Sequence, residues 1–420
     1  MGTRDTLYAA VDVGTTKVAT LAGRVSPDGG MEIVAMGHAA TEGMRKGMVV
    51  SPEDLRASIK RSVDGARRSF GRSLPPVYVG ITGSHLTCIN AAAEVNRDAV
   101  NQTRTFSQQD VDRLLLSTFP NVNGRRKVVH VVPRTYQVDN AEGVLDPIGM
   151  RGKRLWAESH LVLGDPSIME NLSRVVRSAG VRIKGMVIEH LASAEAVLTH
   201  DERHAGAVLV DIGGGTSDIA IYRDGAVWYT AALPVAGYHF TNDIAVGLGV
   251  PPSTAEAIKL EHGSAVVDGI DHKESIDVDT GMGFHTRPVS RVALNSLIHD
   301  RAVELVRMVL AKVRDSGLVR VPPGGIVLTG GCANLPGLAE IAADYGSCKV
   351  RVGSPTSGLG LPAELEHPTF STAVGLLLWA SHYRHAGAIA PDVTVSAPVM
   401  ERVRGWLSKL ALRRPTEVRV

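Results

Sequence analysis

The stretch "AGAVLVDIGGGTSDIAIYRDGAVWYTAAL" covers residues 205–233 and reads as strand, glycine turn, strand, strand. Apolar residues run up to Asp211, three glycines follow, and an apolar run resumes after Thr216. Two strands joined in this way form a hairpin, not a strand-to-helix unit. The chain opens with the same order. "LYAAVDVGTTKVATLAGRV" (7–25) joins two strands through a Gly-Thr-Thr turn, and "MEIVAMGHAA" (31–40) supplies a third strand. Asp-x-Gly-Thr-Thr at 12–16 and Asp-x-Gly-Gly-Gly-Thr at 211–216 occupy equivalent places in the two hairpins. The chain therefore reads as an α/β protein with an internal duplication.

A glycine-rich turn between antiparallel strands points consecutive backbone N–H groups at one spot and forms an anion nest. Gly213, Gly214 and Gly215 carry no side chains that would keep a polyphosphate away. Thr15, Thr16 and Thr216 add hydroxyl donors, and Lys17 can neutralise phosphate charge. Asp12 and Asp211 end their strands and cannot usefully face bare phosphate. They make sense if a magnesium ion with its waters lies between them and the phosphates. One such turn is an ordinary sheet feature; two, each led by Asp, point to a shared site.

Three other stretches fit the same chemistry. In "VLTGGCANLPG" (327–337) a buried strand ends in Gly330-Gly331, which lets backbone approach a flat ring, and "NLPG" begins a helix. In "STAEAIKLEHGSA" (253–265) Glu256 and Lys259 share one helical face, suited to ribose hydroxyls and an adenine edge, or simply to an exposed ion pair. Glu189 heads an Ala-rich helix at 189–199, where it either orients water or magnesium or caps the helix.

The remaining pattern is mixed. "SPEDLRASIKRSVDGARRSF" (51–70) has Ser51 and Pro52 as a helix start, and "PPVYVGITGSHLTCINAAAEV" (75–95) is strand-rich. Residues 96–160 hold a helix at 107–118 and a strand at 127–138; helices follow at 167–180, 251–263, 291–315 and 370–384. Net charge is +2 over 420 residues, which gives no support for nucleic-acid binding. Three cysteines without CxxC or HExxH indicate neither a disulfide framework nor a zinc site. The start runs into an alternating strand, not a signal peptide's apolar core, so a cytosolic protein is expected.

"VMERVRGWLSKLALRRP" (399–415) follows a linker, 386–398, rich in Ala, Pro and Val. On a helix, Val399, Met400, Val403, Trp406, Leu407, Leu410 and Ala411 fall in one arc about 140° wide. Glu401, Arg402, Ser408, Lys409 and Arg413 lie opposite, with Arg404 on the rim. A basic face opposite an apolar face with Trp is what an interfacial helix requires.

Two Asp-led phosphate hairpins, a GG turn and two Ala/Gly-rich connecting helices (189–199 and 367–380) resemble the actin, hexokinase and heat-shock chaperone ATPase superfamily. Within it, "VDVGTTKVATLAG", "KGMVVSPEDLRASIKRSVDGAR", "YVGITGSHL", "VPRTYQVDN", "GYHFTNDIA" and the basic tail resemble the FtsA family of bacterial cell-division proteins. The resemblance implies two lobed halves around a nucleotide cleft. Residues 1–83 and 164–204 would form subdomain 1A, 84–163 an inserted subdomain 1C, 205–236 and 325–385 subdomain 2A, and 237–324 subdomain 2B. ATP with Mg is the implied cofactor, surrounded by Gly14, Thr15, Thr16, Lys17, Asp211, Gly213 to Thr216, Glu256, Lys259, Gly330 and Gly331, with Asp243 behind the site.

The same resemblance implies slow hydrolysis at most. Its implied partners are the C-terminal peptide of the tubulin-like protein FtsZ on 2B, further copies in a filament, later division proteins on 84–163, and anionic lipid on 399–414. No nucleic acid is among them. The implied place is the cytoplasmic face of the cell membrane at the division site. A PilM-like adaptor of the type IV pilus machinery is the alternative, without the membrane helix. A sugar kinase would need a catalytic carboxylate and substrate cleft that no stretch announces. About 35 residues after the ATPase body are too few for a chaperone's substrate domain.

Overall fold

The computed structural model describes residues 6–26, 30–97, 104–120, 125–271, 273–279, 286–355 and 360–382. Two five-stranded sheets share one topology. In space the first runs Ile183–Ile188, Val77–Ile81, Thr6–Val13, Lys17–Val25, Met31–Ala40; the second runs Val350–Val352, Ile326–Thr329, Val208–Ile212, Ser217–Arg223, Ala226–Leu233. In each, the Asp-bearing strand pairs antiparallel with its hairpin partner, and a third antiparallel strand follows. Two parallel strands extend each sheet on the other side. The duplication read from the two turns is thus a duplication of whole sheets. The two hairpins share one register but differ in a residue: Ala19 lies opposite Asp12, whereas Asp218 lies opposite Asp211.

The helices follow from spacing. Pro52–Phe70 buries Leu55, Ile59, Val63 and Ala66, which recur at helical intervals, carries Glu53 and Asp54 at its positive end, and stops at Gly71 in the left-handed region. Each of its fully buried large side chains contributes roughly 1.5–3 kcal/mol relative to exposure. The helix beginning at Glu189 ends at Val197, not at 199, because Thr199 caps a new helix, His200–Ala205, by exchanging hydrogen bonds with Glu202. The other connecting helix, Ser371–His382, crosses Glu189–Val197 so closely that any Cβ at Gly375 would overlap the Ala192 carbonyl. Only glycine fits there.

The strand-rich stretch 75–95 divides between two sheets. Val77–Ile81 joins the first lobe, the chain turns at Gly83 with φ +132°, and Thr87–Asn96 enters a separate antiparallel sheet. That sheet, ordered Thr87–Asn96, Arg154–Gly164, Lys127–Val138, Ala141–Val144, has its own small core under the helix Gln108–Ser117. Helices Gly237–Leu248, Pro252–His262 and Arg291–Asp315 and the hairpin Ser275–Asp279/Thr286–Ser290 build the outer part of the second half. No helix among the described residues is long and apolar enough to cross a membrane. The linker 386–398 and the amphipathic stretch 399–414, with Met400, Arg402, Val403, Arg404, Trp406, Leu407, Lys409 and Leu410, lie outside the described residues.

Candidate functional site

The sheets meet at a cleft with a cavity volume of about 1170 Å³. Its wall brings together Asp12, Gly14 to Lys17, Glu189, Asp211, Gly213 to Thr216, Glu256, Lys259, Gly330 and Gly331. Residues from five distant stretches therefore share one space, roomy beside the ~300–1,000 Å³ of typical small-molecule sites. Asp243 is not in the wall; its carboxylate takes two hydrogen bonds from Arg301, at 2.6 and 3.0 Å.

The two hairpin turns touch tip to tip. A Cβ at Gly214 would overlap Thr16, and one at Gly215 would overlap Thr15. These glycines thus let the lobes close on each other as well as baring backbone N–H groups. Gly330, at φ +84°, leaves room for the Asp211 carboxylate. Gly80 does the same for Glu189, whose side chain lines the cleft. Ser193 Oγ donates to Asp211 Oδ2 at 2.5 Å and Thr372 Oγ1 at 3.1 Å, so one residue from each connecting helix orients this carboxylate. Lys17 Nζ donates to the Thr369 carbonyl at 2.6 Å and sits 3.7 Å above the Phe370 ring, its ammonium held at the cleft's floor. Glu256 and Lys259 form the i,i+3 pair at 2.7 Å, and Lys259 also donates to Thr241 Oγ1 at 3.0 Å, with the lysine side chain only 10% exposed.

Sequence reasoning passed over Asp218. It accepts a hydrogen bond from Thr82 of the first lobe and one from Thr216 at 3.0 Å. A signal was available: an Asp near the start of a strand, ahead of the run Ile219–Tyr222, is unusual, since strands are depleted in Asp. With Asp12, Asp211 and Glu189 it makes four carboxylates in a buried space. Burial pushes Asp12 up to about 6 and Asp218 up to about 7, in both cases helped by Asp211. Burial, then the charges of Asp12, Asp218 and Asp211, holds Glu189 well above the usual carboxylate range. Burial also lowers Lys17, against the pull of Asp12 and Asp211.

The donor set fits a hydrated divalent cation. Its charge would offset the carboxylate repulsion, and Asp12 and Asp211 at the strand ends are hard oxygen ligands for its waters. Among the described residues no group of three His, Cys, Asp or Glu side chains is arranged to grip an ion directly. The Thr41 hydroxyl, in the cleft wall, has no protein partner.

These shifts have a testable sign. The folded-state value of Asp218, about 7, exceeds its ordinary 3.8. The unfolded chain therefore ionises first as pH rises, and native stability is lost progressively from about pH 4 to 7. Asp218→Asn is expected to raise the thermal midpoint of the ligand-free protein by about 5 °C at pH 7.5 and by much less at pH 5. Calorimetry at the two pH values checks this.

Comparisons with known proteins agree with the geometry. The family described as Cell division protein FtsA matches residues 208–375, and the SHS2 domain inserted in FTSA matches 83–163. The chain is 36% identical over 410 residues to the cell division protein FtsA of Pseudomonas aeruginosa, covering 96% of this chain and 97% of that one. It is 35% identical over 414 residues to that of Escherichia coli K12, covering 96% and 98%. Among solved structures it is similar in fold to a PilM-PilN type IV pilus biogenesis complex, with TM-score 0.61, 16% identity and coverage of 89% and 98%. MreB5 of Spiroplasma citri bound to ADP matches with TM-score 0.53, 15% identity and coverage of 90% and 98%. The fold is actin-like. The pilus likeness, at 16% identity, is one of fold alone and weaker than the likeness to the division proteins. Duplicated sheets, inserted domain and identity along nearly the whole chain lead to one conclusion: this chain belongs to the FtsA family of cell-division proteins.

Proposed function

We propose that the chain is an ATP-binding tether that assembles on the inner face of the cytoplasmic membrane and holds FtsZ there at the division site. The observation that supports this most is the convergence of both Gly-Thr turns, Gly330-Gly331 and Glu256–Lys259 on one cleft between duplicated lobes. In this reading the N–H groups of 14–16 and 213–216 face the phosphates. Glu256 and Lys259 face the ribose, and Gly330 and Gly331 flank the adenine. Magnesium, when bound, supplies charge neutralisation between phosphates and carboxylates, its waters held by Asp12 and Asp211. A ligand touching both lobes favours their closed arrangement, which links nucleotide to assembly.

Glu189 and Asp218 are the carboxylates suited to take a proton from water. Burial holds Glu189 well above the usual carboxylate range and pushes Asp218 up to about 7, so Asp218 is a weak proton acceptor near neutral pH, which fits an ATPase that is slow at most. For FtsZ, a groove of about 500 Å³ runs along helix Arg291–Asp315 of 237–324, lined by Val303, Arg307 and Met308 and closed on one side by Tyr345 of helix Leu338–Gly346. Its C-terminal peptide is the occupant of this reading. The inserted subdomain remains the surface for later division proteins.

Residues 399–414 are the membrane foot. Each basic residue near an anionic leaflet contributes roughly 1 kcal/mol, so one foot holds reversibly and a filament of many holds firmly. Electron microscopy of the full chain on anionic vesicles with ATP and magnesium is the test. Filaments on the vesicle surface that collect added FtsZ are expected; bare vesicles beside free monomer would overturn the reading.

A further inference from the structure

His190 is the second residue of the connecting helix Glu189–Val197 and is 2% exposed. Neither of its ring nitrogens has a hydrogen-bond partner. Buried polar groups are nearly always satisfied, so a buried ring with two idle nitrogens calls for an explanation. Its neighbours in kind are satisfied. His160 donates from Nδ1 to Asn90 Oδ1 at 2.8 Å and accepts at Nε2 from the Thr230 hydroxyl at 2.9 Å. His130 accepts at Nε2 from the Ile188 backbone N–H at 3.2 Å.

The acceptor nearest to hand is Asp218, with Oδ1 4.0 Å from His190 Nδ1. That is about 1 Å too long for a hydrogen bond. The gap lies between the two halves. His190 follows the last strand of the first sheet, Asp218 belongs to the second hairpin, and Thr82, which already donates to Oδ1, belongs to the first lobe. A carboxylate oxygen has two lone pairs, so Oδ1 can accept from both Thr82 and His190. Small rotations of the lobes are what a ligand spanning the cleft produces.

We propose that His190 is a positioning residue for Asp218: when nucleotide and magnesium draw the lobes together, Nδ1–H of His190 donates to Asp218 Oδ1 and fixes the carboxylate at the edge of the cleft. This rests on the reading of the cleft as an ATP site. Without that bond the ring is an unsatisfied group, a local cost of the kind that gathers at functional sites. Two consequences separate this role from simple packing. A leucine at 190 removes the orphaned nitrogens, so the ligand-free protein does not lose stability. A glutamine at 190 retains a donor and preserves part of the effect.

The experiment uses the full chain with His190→Leu and His190→Gln. It measures thermal midpoints without ligand and binding of a fluorescent ATP analogue with magnesium or with EDTA. His190→Leu is expected to keep or raise the midpoint and to lose about tenfold of the affinity that magnesium adds, the scale of one charge-assisted hydrogen bond. Its binding in EDTA stays as in the wild type, and His190→Gln recovers most of the loss. A His190→Leu protein that retains the full magnesium effect overturns the proposal while leaving the ATP site standing. So does one whose midpoint falls and whose binding drops equally in both buffers, because the ring is then structural. A wild-type chain that binds no analogue overturns the ATP reading, and this proposal with it.

Discussion

Gly375→Ala is expected to lower the apparent thermal midpoint of the ligand-free protein by about 6–10 °C. The added Cβ has nowhere to go: it meets the carbonyl oxygen and carbon of Ala192 and the backbone nitrogen of Ser193, none of which is the flexible end of a side chain. Overpacking of this kind costs about 1–3 kcal/mol, and the upper end applies where backbone must move. Prising the helices apart also separates Ser193 from Thr372, whose hydroxyls lie 3.0 Å apart and both donate to Asp211. Weaker nucleotide binding should therefore accompany the lost stability. A scanning calorimetry trace unchanged from the wild type would mean that the two connecting helices do not cross at this point.

Asp211→Asn gives the second large effect, on ligand binding instead of folding. The carboxylate is buried, oriented by two hydroxyls, and faces a cleft that holds three other buried carboxylates, Asp12, Asp218 and Glu189. If it holds the waters of magnesium, its charge is needed only when the ion is present. The expected result is a loss of about 100-fold, or about 2.7 kcal/mol, in ATP affinity with magnesium. In EDTA the affinity should be unchanged or slightly better, since a charge that repels the phosphates has gone. Calorimetric titrations in the two buffers check this. An equal loss in both would mean that Asp211 shapes the site without serving the ion.

The sequence made the hairpins legible because their chemistry is local. A run of apolar residues ending in Asp, followed by glycines and threonine, specifies a tight turn with exposed N–H groups wherever it occurs. Its recurrence in the second half revealed a duplication that the sheets repeat strand for strand. Helix Pro52–Phe70 is readable for a similar reason, from Ser51, Pro52 and the acidic residues at its start. Other features arise only when distant segments meet. Residue patterning at 75–95 does not signal that the strands on either side of Gly83 belong to different sheets, and the boundary at 83/84 comes from the family resemblance alone. Gly214 and Gly215 read as openings for a ligand, and their packing against Thr16 and Thr15 depends on the opposite lobe. Asp218 becomes a site residue through Thr82, which lies far away in the chain and in the other half. Lys17 was read as a phosphate partner, and its anchoring to Thr369 follows from where the last connecting helix begins.

The role proposed for this chain is to carry FtsZ to the membrane. Co-sedimentation tests it most directly: FtsZ and anionic vesicles are mixed with ATP, magnesium and either the full chain or a chain ending at Ala397. FtsZ is expected to pellet with lipid only beside the full chain. FtsZ left in the supernatant by both chains, or carried down equally by both, would contradict it.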